Sequence, residues 1–429
     1  MVTGVVLAEL GNSIICVDTD SKKIKKLKQG ISPIYEEDLE YYMNKNIDRI
    51  HYTTDYKMAY KKAKVIFICV GTPNKNNGNI NLDNIKSVIK QIALNIKNNC
   101  IIVVKSTVPV GFNDEIEEYL NKNISKKITV KVVSNPEFLS QGTAVKDTLY
   151  ASRIIVGTSD ASANKVLKKI YNPLTKKPYN VPYVLMSRRS AELVKYASNS
   201  FLAIKISYIN EIANFCEKVG ANIEEVVKGM GFDSRIGNSF LNAGIGYGGS
   251  CLPKDTNAFY LQSTEKECEL SILKEVINTN NKQKFKLYEK IKEDFKDLNG
   301  LNIAILGVTF KPKTDDLRET PAISNINLLL EDGANITAYD PVGLKNLKQI
   351  FFDKIRYSCN IEDAISNKDA VLILTEWDVI KKFKLEKYYK LMNNPIIYDG
   401  RNCYKLEDVY KNNLNYYSIG RKKINNYKK

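Results

Sequence analysis

The chain has 429 residues, 44% of them hydrophobic and 26% charged, which predicts two or three domains and excludes a disordered or fibrous protein. Its net charge is +16 at neutral pH. The excess lysines are spread along whole segments, without an interleaved module of arginine and aromatic residues. The charge therefore favours a solvated surface over a nucleic-acid partner.

Residue types limit the chemistry further. His51 is the only histidine, which argues against a Ser-His-Asp hydrolase and against a metal site built from histidines. The eight cysteines form no CxxC pair, which argues against a zinc ribbon or a disulfide scaffold. No apolar run reaches the roughly 18 residues that span a bilayer, and no signal-like segment is visible. We expect a cytoplasmic protein with neither a metal site nor a membrane anchor.

The first part of the chain alternates strand and helix patterns. Buried, β-branched runs predict parallel strands at 14–19, 64–72 and 100–107. The segment 83–98 predicts a helix, with Asp83 as its cap and an apolar stripe formed by Ile85, Val88, Ile89 and Ile92. Alternation of this kind predicts a doubly wound parallel sheet.

Long helical patterns follow in the middle of the chain. One runs from about 188 to 219 and ends at Gly220, and another from about 268 to 297 ends at Gly300. Strands of a second α/β domain are then predicted at 301–309, 334–341, 369–376 and 394–400. The basic C-terminus is expected to fray from about 421.

The segment GIGYGGSCLPKD at 244–255 carries the sharpest chemical pattern. Its glycines let the backbone approach a ligand, and Cys251 follows them where a helix start would favour the thiolate. Lys254 adds positive charge, and Asp255 lies one turn after the cysteine. The pattern favours covalent acyl chemistry at a nucleophilic cysteine. A buried thiol beside a flexible loop is the alternative.

Candidate cofactor residues follow the predicted strands. Asp18 ends a strand where an acid binds a ribose diol and favours NAD over NADP, unless it only caps the helix at 20–28. Lys23 either meets the cofactor or lies on the surface. Gly71, Thr72 and Thr107 end the next strands, where a doubly wound sheet opens toward its ligand. They could equally be residues that only end a strand.

Glu137, Lys195 and Asn199 are candidate catalytic residues. Glu137 lies on a turn after Asn135-Pro136, and a solvated glutamate is the alternative reading. Lys195 and Asn199 are one turn apart, and we expect them to project together from the polar side of their helix. The opposite, apolar side is expected to hold Leu193, Ala197, Phe201, Ile204 and Tyr208.

The chain resembles the UDP-glucose/GDP-mannose dehydrogenase family over essentially its whole length. The motifs that carry the resemblance include SPIYEEDLE (32–40), GTP (71–73), KSTVPVG (105–111), NPEFLSQGTAVKD (135–147), GIGYGGSCLPKD (244–255), GVTFKPKTDDLRETP (307–321) and DGR (399–401). The resemblance implies two Rossmann-like doubly wound domains joined by a long-helix dimerisation segment. Their expected bounds are 1–187 for the NAD-binding domain, 188–297 for the segment with the catalytic cysteine and 298–429 for the UDP-sugar domain.

The resemblance also implies a role for each site residue. Catalysis would fall to Cys251, Lys195, Asn199, Asp255, Thr107 and Glu137. Cofactor contacts would come from Asp18, Lys23, Gly71, Thr72, Thr107, Lys254 and Arg318. Substrate contacts, besides Glu137, Lys195 and Asn199, would come from Phe138, Leu139, Phe240, Leu241, Asn242, Gly248, Phe310, Lys311, Arg401 and, across a homodimer, Arg235.

The expected reaction is an NAD-dependent, four-electron oxidation of UDP-glucose to UDP-glucuronate through a Cys251 thiohemiacetal and thioester. GDP-mannose is the alternative substrate, whereas enzymes of UDP-N-acetylmannosamine usually carry a histidine at the position of Ser250. A UDP-sugar-binding protein that has lost its cofactor stays open as another class. Nucleic-acid binding is a third class, suggested only by the charge.

The sequence departs from the family at two places. Relatives open with a strand and a GxGxxG turn, whereas Met1 falls just past that turn, so about ten residues are expected to be absent. Their absence would leave an unpaired edge inside the sheet and weaken NAD binding, whether the start was assigned too late or the chain is truncated. At the second place, Gln141 stands where many relatives have glutamate. This weakens any mechanism that needs a second carboxylate beside Glu137.

Overall fold

The computed structural model describes residues 1–75 and 78–426. It forms two compact units, one of Met1–Ser198 and one that starts at Asn199. The strands are β1 (Ile14–Val17), β2 (Ile50–Thr53), β3 (Val65–Ile68), β4 (Cys100–Val104), β5 (Val130–Ser134), β6 (Ile154–Gly157), β7 (Tyr183–Met186), β8 (Asn302–Leu306), β9 (Asn335–Tyr339), β10 (Arg356–Tyr357), β11 (Ala370–Ile373), β12 (Ile396–Asp399), β13 (Asn415–Tyr417) and β14 (Ile424–Asn425).

Helices cover the sheets and connect their strands. They are α1 (Val2–Glu9), α2 (Ser21–Lys28), α3 (Leu39–Lys45), α4 (Tyr56–Lys62), α5 (Asp83–Asn95), α6 (Phe112–Asn123), α7 (Ala144–Leu149), α8 (Ala161–Thr175), α9 (Arg188–Val219), α10 (Ile223–Gly231), α11 (Leu252–Glu265), α12 (Ser271–Gln283), α13 (Lys286–Asp294), α14 (Pro321–Glu331), α15 (Leu344–Phe351), α16 (Ile361–Ile365), α17 (Asp378–Lys381), α18 (Leu385–Leu391) and α19 (Leu406–Lys411). A 3-10 turn spans Ile47–Arg49. None of the described helices combines the length and apolarity needed to cross a lipid bilayer.

The first unit contains two sheets instead of one continuous sheet. Strands β1 and β2 pair in parallel, and a separate sheet has the order β3-β4-β5-β6-β7. The second sheet is parallel except between β5 and β6. One apolar core, which includes Val5, Ile24, Val103 and Val133, serves both sheets. Among the described strands β1 pairs only with β2 and β3 only with β4, so these two sheets are not joined by hydrogen bonds between described strands.

The second unit is built on a seven-stranded sheet of order β10-β9-β8-β11-β12-β13-β14, parallel except for its last pair. Both faces are covered, because Ile303 and Ile305 pack into one apolar cluster while Ala304 and Leu306 pack into another. This is the pattern of a doubly wound sheet. Both units are therefore α/β with mainly parallel sheets, as predicted.

The only tryptophan, Trp377, is buried in this second unit. Its Nε1–H donates a hydrogen bond to Asp340 Oδ2 at 3.0 Å. The same carboxylate oxygen accepts from the Val308 N–H at 2.7 Å, just after β8. The indole is thus fixed against the carboxyl ends of neighbouring strands.

The structure confirms the predicted end of one helix and contradicts two other helix predictions. The helix that ends at Gly220 is confirmed as α9, and Gly220 has a φ of +74°. The continuous helix over 268–297 is wrong, because α12 stops at Gln283 and α13 starts at Lys286. The Lys284 carbonyl accepts instead from Asn325 Nδ2 at 2.8 Å. Asp83 as a cap is also wrong, since the N-cap is Leu82 and the Asp83 N–H binds the Asn81 side chain.

Fraying of the chain from residue 421 is wrong for the described residues 421–426. The Arg421 side chain is buried and donates to the Tyr404 carbonyl at 3.0 Å and the Tyr416 hydroxyl at 2.8 Å. Strand β14 then pairs with β13. A basic residue that finds buried acceptors anchors the chain, so the charge of this segment does not predict disorder. The rest of the predicted tail, 427–429, lies outside the described residues.

Candidate active site

A buried ion pair joins Glu137 and Lys195 in the first unit. Lys195 Nζ lies 3.0 Å from Glu137 Oε1, and the Leu139 N–H donates to Glu137 Oε2 at 2.6 Å. The lysine side chain is 4% exposed and that of the glutamate 25%. Burial raises the pKa of Glu137, but the Lys195 ammonium and the Leu139 N–H outweigh it and leave the pKa below its usual value. Glu137 is therefore a carboxylate at neutral pH.

Helix α9 buries its polar pair and exposes aromatic residues of its other side. Lys195 and Asn199 are buried, whereas Phe201 and Tyr208 on the opposite side are 61% and 49% exposed. Lys195 and Asn199 thus share one side of the helix and Phe201 and Tyr208 lie on the other, as predicted, but the alternative of a solvated polar side is wrong because the polar pair is the buried one. Both polar groups have carboxylate partners, the partly buried Glu137 and the buried Asp255, which lets them turn inward. Helical periodicity alone gives the spacing of a stripe but not which stripe faces solvent.

Phe138 lies between two cations beside this ion pair. The Arg153 guanidinium carbon is 4.0 Å from the centre of the Phe138 ring, and Lys195 Nζ is 5.5 Å from it. Both contacts are of the cation–π type. The ring and the neighbouring Leu139 are partly exposed, so the segment presents an apolar surface next to a charged pair. Such a surface suits the ring of a sugar.

The loop that follows Phe138 is fixed by a glutamate that sequence reasoning missed. The Glu36 carboxylate accepts from the N–H groups of Gly142 at 2.9 Å and Ala144 at 2.6 Å. It thereby ties the SPIYEEDLE segment to the loop that contains Gln141. Only its place inside that motif could have indicated it, since nothing else distinguishes Glu36 from Glu37.

Thr107 and the Gly71-Thr72 pair come together at one edge of the sheet. They follow β4 and β3, which are neighbouring parallel strands, so both loops leave from the same side. Thr72 is buried, whereas Gly71 is exposed. The loop after Thr107 is held by Glu192, another residue that the sequence did not reveal. Its carboxylate accepts from the Gly111 N–H at 2.6 Å and the Asn113 N–H at 3.0 Å.

Asp18 and Lys23 form an ion pair just after the end of β1. Lys23 Nζ lies 3.0 Å from Asp18 Oδ2. The alternative reading of Asp18 as a helix cap is wrong, because the cap of α2 is Asp20, which accepts from the Lys22 and Lys23 N–H groups. A partly exposed carboxylate at a strand end fits the hydroxyl pair of an adenosine ribose, so these residues suit NAD.

Cys251 is the N-cap residue of α11 in the second unit. Asp255 lies one turn later, and its N–H donates to the Cys251 carbonyl at 2.8 Å. The Asp255 side chain is 1% exposed, accepts from Asn199 Nδ2 at 2.6 Å and contacts Lys254 Nζ. The structure thus brings four of the predicted residues together: a thiol at a helix start, a buried carboxylate, an amide and an ammonium.

The glycines before Cys251 are required by close contacts. A Cβ atom at Gly248 would lie 2.3 Å from the Glu319 carbonyl oxygen, and one at Gly249 would lie 2.6 Å from the Phe310 ring. The Gly249 N–H also donates to the Arg318 carbonyl at 2.9 Å. Phe310 therefore packs directly on the glycine segment, with Lys311 Nζ 5.8 Å from the centre of its ring.

Arg318 and Arg401 differ in how many of their donors have hydrogen-bond partners. Arg318 pairs with Asp316 at 2.7 Å, and this carboxylate raises the pKa of the guanidinium. Arg401 donates to the Leu374 carbonyl at 2.9 Å and to the Gly246 carbonyl at 3.1 Å. Its Nη2 is buried and has no hydrogen-bond partner among the described residues. A buried donor of this kind is suited to a phosphate or hydroxyl of a ligand.

The remaining predicted substrate residues are spread over surface and core. Arg235 is exposed and pairs with Asp233 at 2.6 Å. Asn242 is exposed, and Phe240 is 43% exposed with a φ of +65°. Leu241 is buried in the main apolar cluster, so its side chain contributes to packing.

Comparison with known proteins agrees with this arrangement. Three domains described for the UDP-glucose/GDP-mannose dehydrogenase family match the chain: the NAD binding domain at residues 1–175, the central domain at 189–282 and the UDP binding domain at 304–406. UDP-glucose 6-dehydrogenase YwqF of Bacillus subtilis is 45% identical over 426 residues, 99% of this chain and 96% of that protein. UDP-glucose 6-dehydrogenase TuaD of the same species is 38% identical, over 98% of this chain and 91% of that protein.

A solved structure is also similar. The UDP-glucose dehydrogenase of the archaeon Pyrobaculum islandicum superposes with a TM-score of 0.90 at 29% identity, over 98% of this chain and 95% of that one. These matches define a nucleotide-sugar dehydrogenase fold with an NAD-binding domain. The chain belongs to the UDP-glucose/GDP-mannose dehydrogenase family. It is an NAD-dependent oxidoreductase, and NAD is its cofactor.

Proposed function

We propose that this enzyme oxidises the C6 alcohol of UDP-glucose to the carboxylate of UDP-glucuronate in two successive two-electron steps. The observation that carries the proposal is Cys251 at the start of α11, one turn from the buried Asp255. A cysteine nucleophile lets an enzyme carry an aldehyde on to an acid through a thioester. The two Bacillus subtilis relatives support the choice of sugar, since both are UDP-glucose 6-dehydrogenases.

The first oxidation needs a proton acceptor for the C6 hydroxyl. We assign this role to a water molecule held by Thr107 and the Asp255 carboxylate. Bound NAD supplies the acceptor for the hydride in both oxidations. Asn199 Nδ2 donates to Asp255 Oδ2 and so fixes the orientation of the carboxylate.

The second oxidation uses Cys251 directly. Its thiolate, favoured by the helix start and by Lys254, adds to the aldehyde carbon to form a thiohemiacetal. Lys195 and Asn199 stabilise the negative charge on the oxygen of this intermediate. Oxidation gives a thioester, and a water molecule oriented by the Glu137 carboxylate hydrolyses it to the acid and the free thiol. The ion pair with Lys195 keeps Glu137 ionised for this task.

Sugar-nucleotide binding would rest on the second unit. The unpartnered Nη2 of Arg401 is suited to a ligand oxygen, and the rings of Phe310 and Phe240 are suited to the uridine and sugar faces. Arg235 is exposed and would reach the site of a second subunit. A cytoplasmic location stays a prediction.

The enzyme is proposed to be a homodimer. Phe201, Tyr208 and Phe215 recur every seven residues on α9 and are 61%, 49% and 62% exposed. Aromatic residues at this spacing form a stripe along one side of a helix, and a stripe of this kind is typical of helix–helix association. A second copy of the same helix would cover it.

The direct test compares UDP-glucose, GDP-mannose and UDP-N-acetylmannosamine side by side, with NADH release measured for each. We expect the highest kcat/KM with UDP-glucose and two NADH per sugar oxidised. A preference for GDP-mannose would contradict the substrate assignment. In the Cys251→Ser variant we expect no UDP-glucuronate, and normal acid production by this variant would rule out the thioester route.

A further inference from the structure

The glycine segment before Cys251 is buried although it forms neither helix nor strand. All residues from Gly244 to Gly249 are buried. Buried backbone N–H and C=O groups must find hydrogen-bond partners, and irregular segments usually avoid burial because they cannot supply them. Partners from elsewhere must therefore hold this segment.

Three buried amide side chains supply those partners. Asn210 Oδ1 accepts from the Gly244 N–H at 2.8 Å, and Gln283 Nε2 donates to the Gly244 carbonyl at 2.7 Å. Asn280 binds Tyr247 at two points, accepting from its N–H at 2.8 Å and donating to its carbonyl at 3.1 Å. Each amide is at most 3% exposed. We call Asn210, Asn280 and Gln283 the amide clamp.

The amide clamp packs closely against the backbone of Gly246. Gly246 has a φ of +83°, and a Cβ atom there would lie 2.7 Å from Asn280 Oδ1. The amide can therefore approach the backbone only because position 246 has no side chain. Asn214 Nδ2 donates to Gln283 Oε1 at 2.9 Å, which turns the Gln283 nitrogen toward the segment.

The same segment connects two parts of the proposed site. Arg401 Nη1 donates to the Gly246 carbonyl at 3.1 Å, and the Ile245 N–H donates to the Gly400 carbonyl at 3.1 Å. Cys251 follows Gly246 by five residues. A shift of the segment would therefore change the position of the nucleophile relative to Arg401, which we assign to the sugar nucleotide.

We propose that Asn210, Asn280 and Gln283 are positioning residues that hold Cys251 in the place it needs for the second oxidation. This inference rests on the proposed two-step reaction. The first oxidation does not use the thiol, whereas the second requires it at bonding distance from the aldehyde carbon, where small displacements are costly. Loosening the clamp should therefore let more aldehyde escape before it is captured.

The test is the partition of the aldehyde in the Asn280→Asp variant. Aspartate keeps the acceptor for the Tyr247 N–H but replaces the donor to the Tyr247 carbonyl by an oxygen. Hydroxylamine present during turnover traps released aldehyde as the oxime. The ratio of oxime to UDP-glucuronate does not depend on how much enzyme is folded, so a purely structural loss leaves it unchanged. We expect this ratio to rise about tenfold, the factor that corresponds to one lost hydrogen bond.

Asn278→Asp is the matched control, because Asn278 lies on the same helix, is exposed and contacts only Glu275 among its described hydrogen-bond partners. Its oxime ratio should equal that of the wild type. Asn214→Ala is a milder variant that leaves the segment's own hydrogen bonds in place. It should raise the ratio two- to threefold, about the effect of weakening one hydrogen bond, even if Asn280→Asp does not fold.

Unchanged ratios in both Asn214→Ala and a folded Asn280→Asp would overturn the inference while leaving the proposed reaction intact. Failure of the wild type to release NADH from UDP-glucose would instead remove the proposed reaction, and the inference with it.

Discussion

Replacing Lys195 by methionine tests the ion pair between Lys195 and Glu137 in the first unit. Methionine keeps most of the aliphatic side chain but removes the ammonium group 3.0 Å from Glu137 Oε1. Removing one partner of a buried pair costs about 3–5 kcal/mol. Because a quarter of the Glu137 side chain is exposed, water can partly solvate the remaining carboxylate. We therefore expect the free energy of unfolding at neutral pH to fall by about 3 kcal/mol, the lower end of that range.

The loss should depend on pH in a defined direction. The pKa of Glu137 is lowered in the folded wild type, so its contribution to stability is present above the unfolded pKa and is lost as the pH falls through the folded one. Without Lys195, the strongest influence that lowers the pKa of Glu137 is lost, so this pKa rises. The variant then protonates this carboxyl in mild acid, and the difference from the wild type should shrink between pH 7 and about pH 4.

Urea unfolding followed by circular dichroism measures both effects in the wild type, Lys195→Met, Glu137→Gln and the double variant. The double-mutant cycle should give a coupling energy of at least about 1 kcal/mol. Lys122→Met is the control, since the solvent-exposed pair of Lys122 with Glu118 should contribute little to stability. A coupling energy near zero, or a pH-independent difference, would refute the reasoning.

Three further predictions concern other parts of the molecule. Asp18→Ser should raise the Kd for NAD about tenfold and leave that for NADP nearly unchanged in calorimetric titrations; equal effects on both would contradict a ribose contact. Gly246→Ala forces a Cβ atom to within 2.7 Å of Asn280 Oδ1 at a φ of +83°. It should destabilise the enzyme by about 2 kcal/mol in thermal scans, and an unchanged Tm would show that the segment can move. Phe215→Glu should give monomers by light scattering at concentrations where the wild type is dimeric, and a persistent dimer would place the interface elsewhere.

The order of elements and the glycine segment were predictable because local signals determine them. Continuous buried runs revealed β1, β3 and β4 in the first unit and β8, β9, β11 and β12 in the second, whereas the other strands were not predicted. Gly220 marked the end of α9 because helices commonly stop at a residue with positive φ. The helix start at Cys251 was expected because the cysteine directly follows a run of glycines. These features depend on a few neighbouring residues only.

Features that depend on distant residues were not predictable. The helix breaks after Gln283, where the Lys284 carbonyl accepts a hydrogen bond from Asn325, 41 positions further along the chain. The sequence of residues 268–297 does not indicate this break. The inward orientation of Lys195 depends on Glu137, which comes from another part of the chain. Buried amides such as Asn280 look like ordinary polar helix residues until their backbone partners are known. The spacing of residues on α9 predicted its two sides, but only tertiary contacts determine which side is buried.

The single tryptophan gives this enzyme an unusual spectroscopic property. Trp377 lies in the second unit, and no tryptophan occurs among residues 1–198. Indole fluorescence therefore reports on the Asp340 contact and its surroundings in the unit that starts at Asn199, whereas far-ultraviolet circular dichroism reports on the helices of both units. Comparing the two signals during denaturation would show, without any labelling, whether the two units lose their structure in one transition or in two.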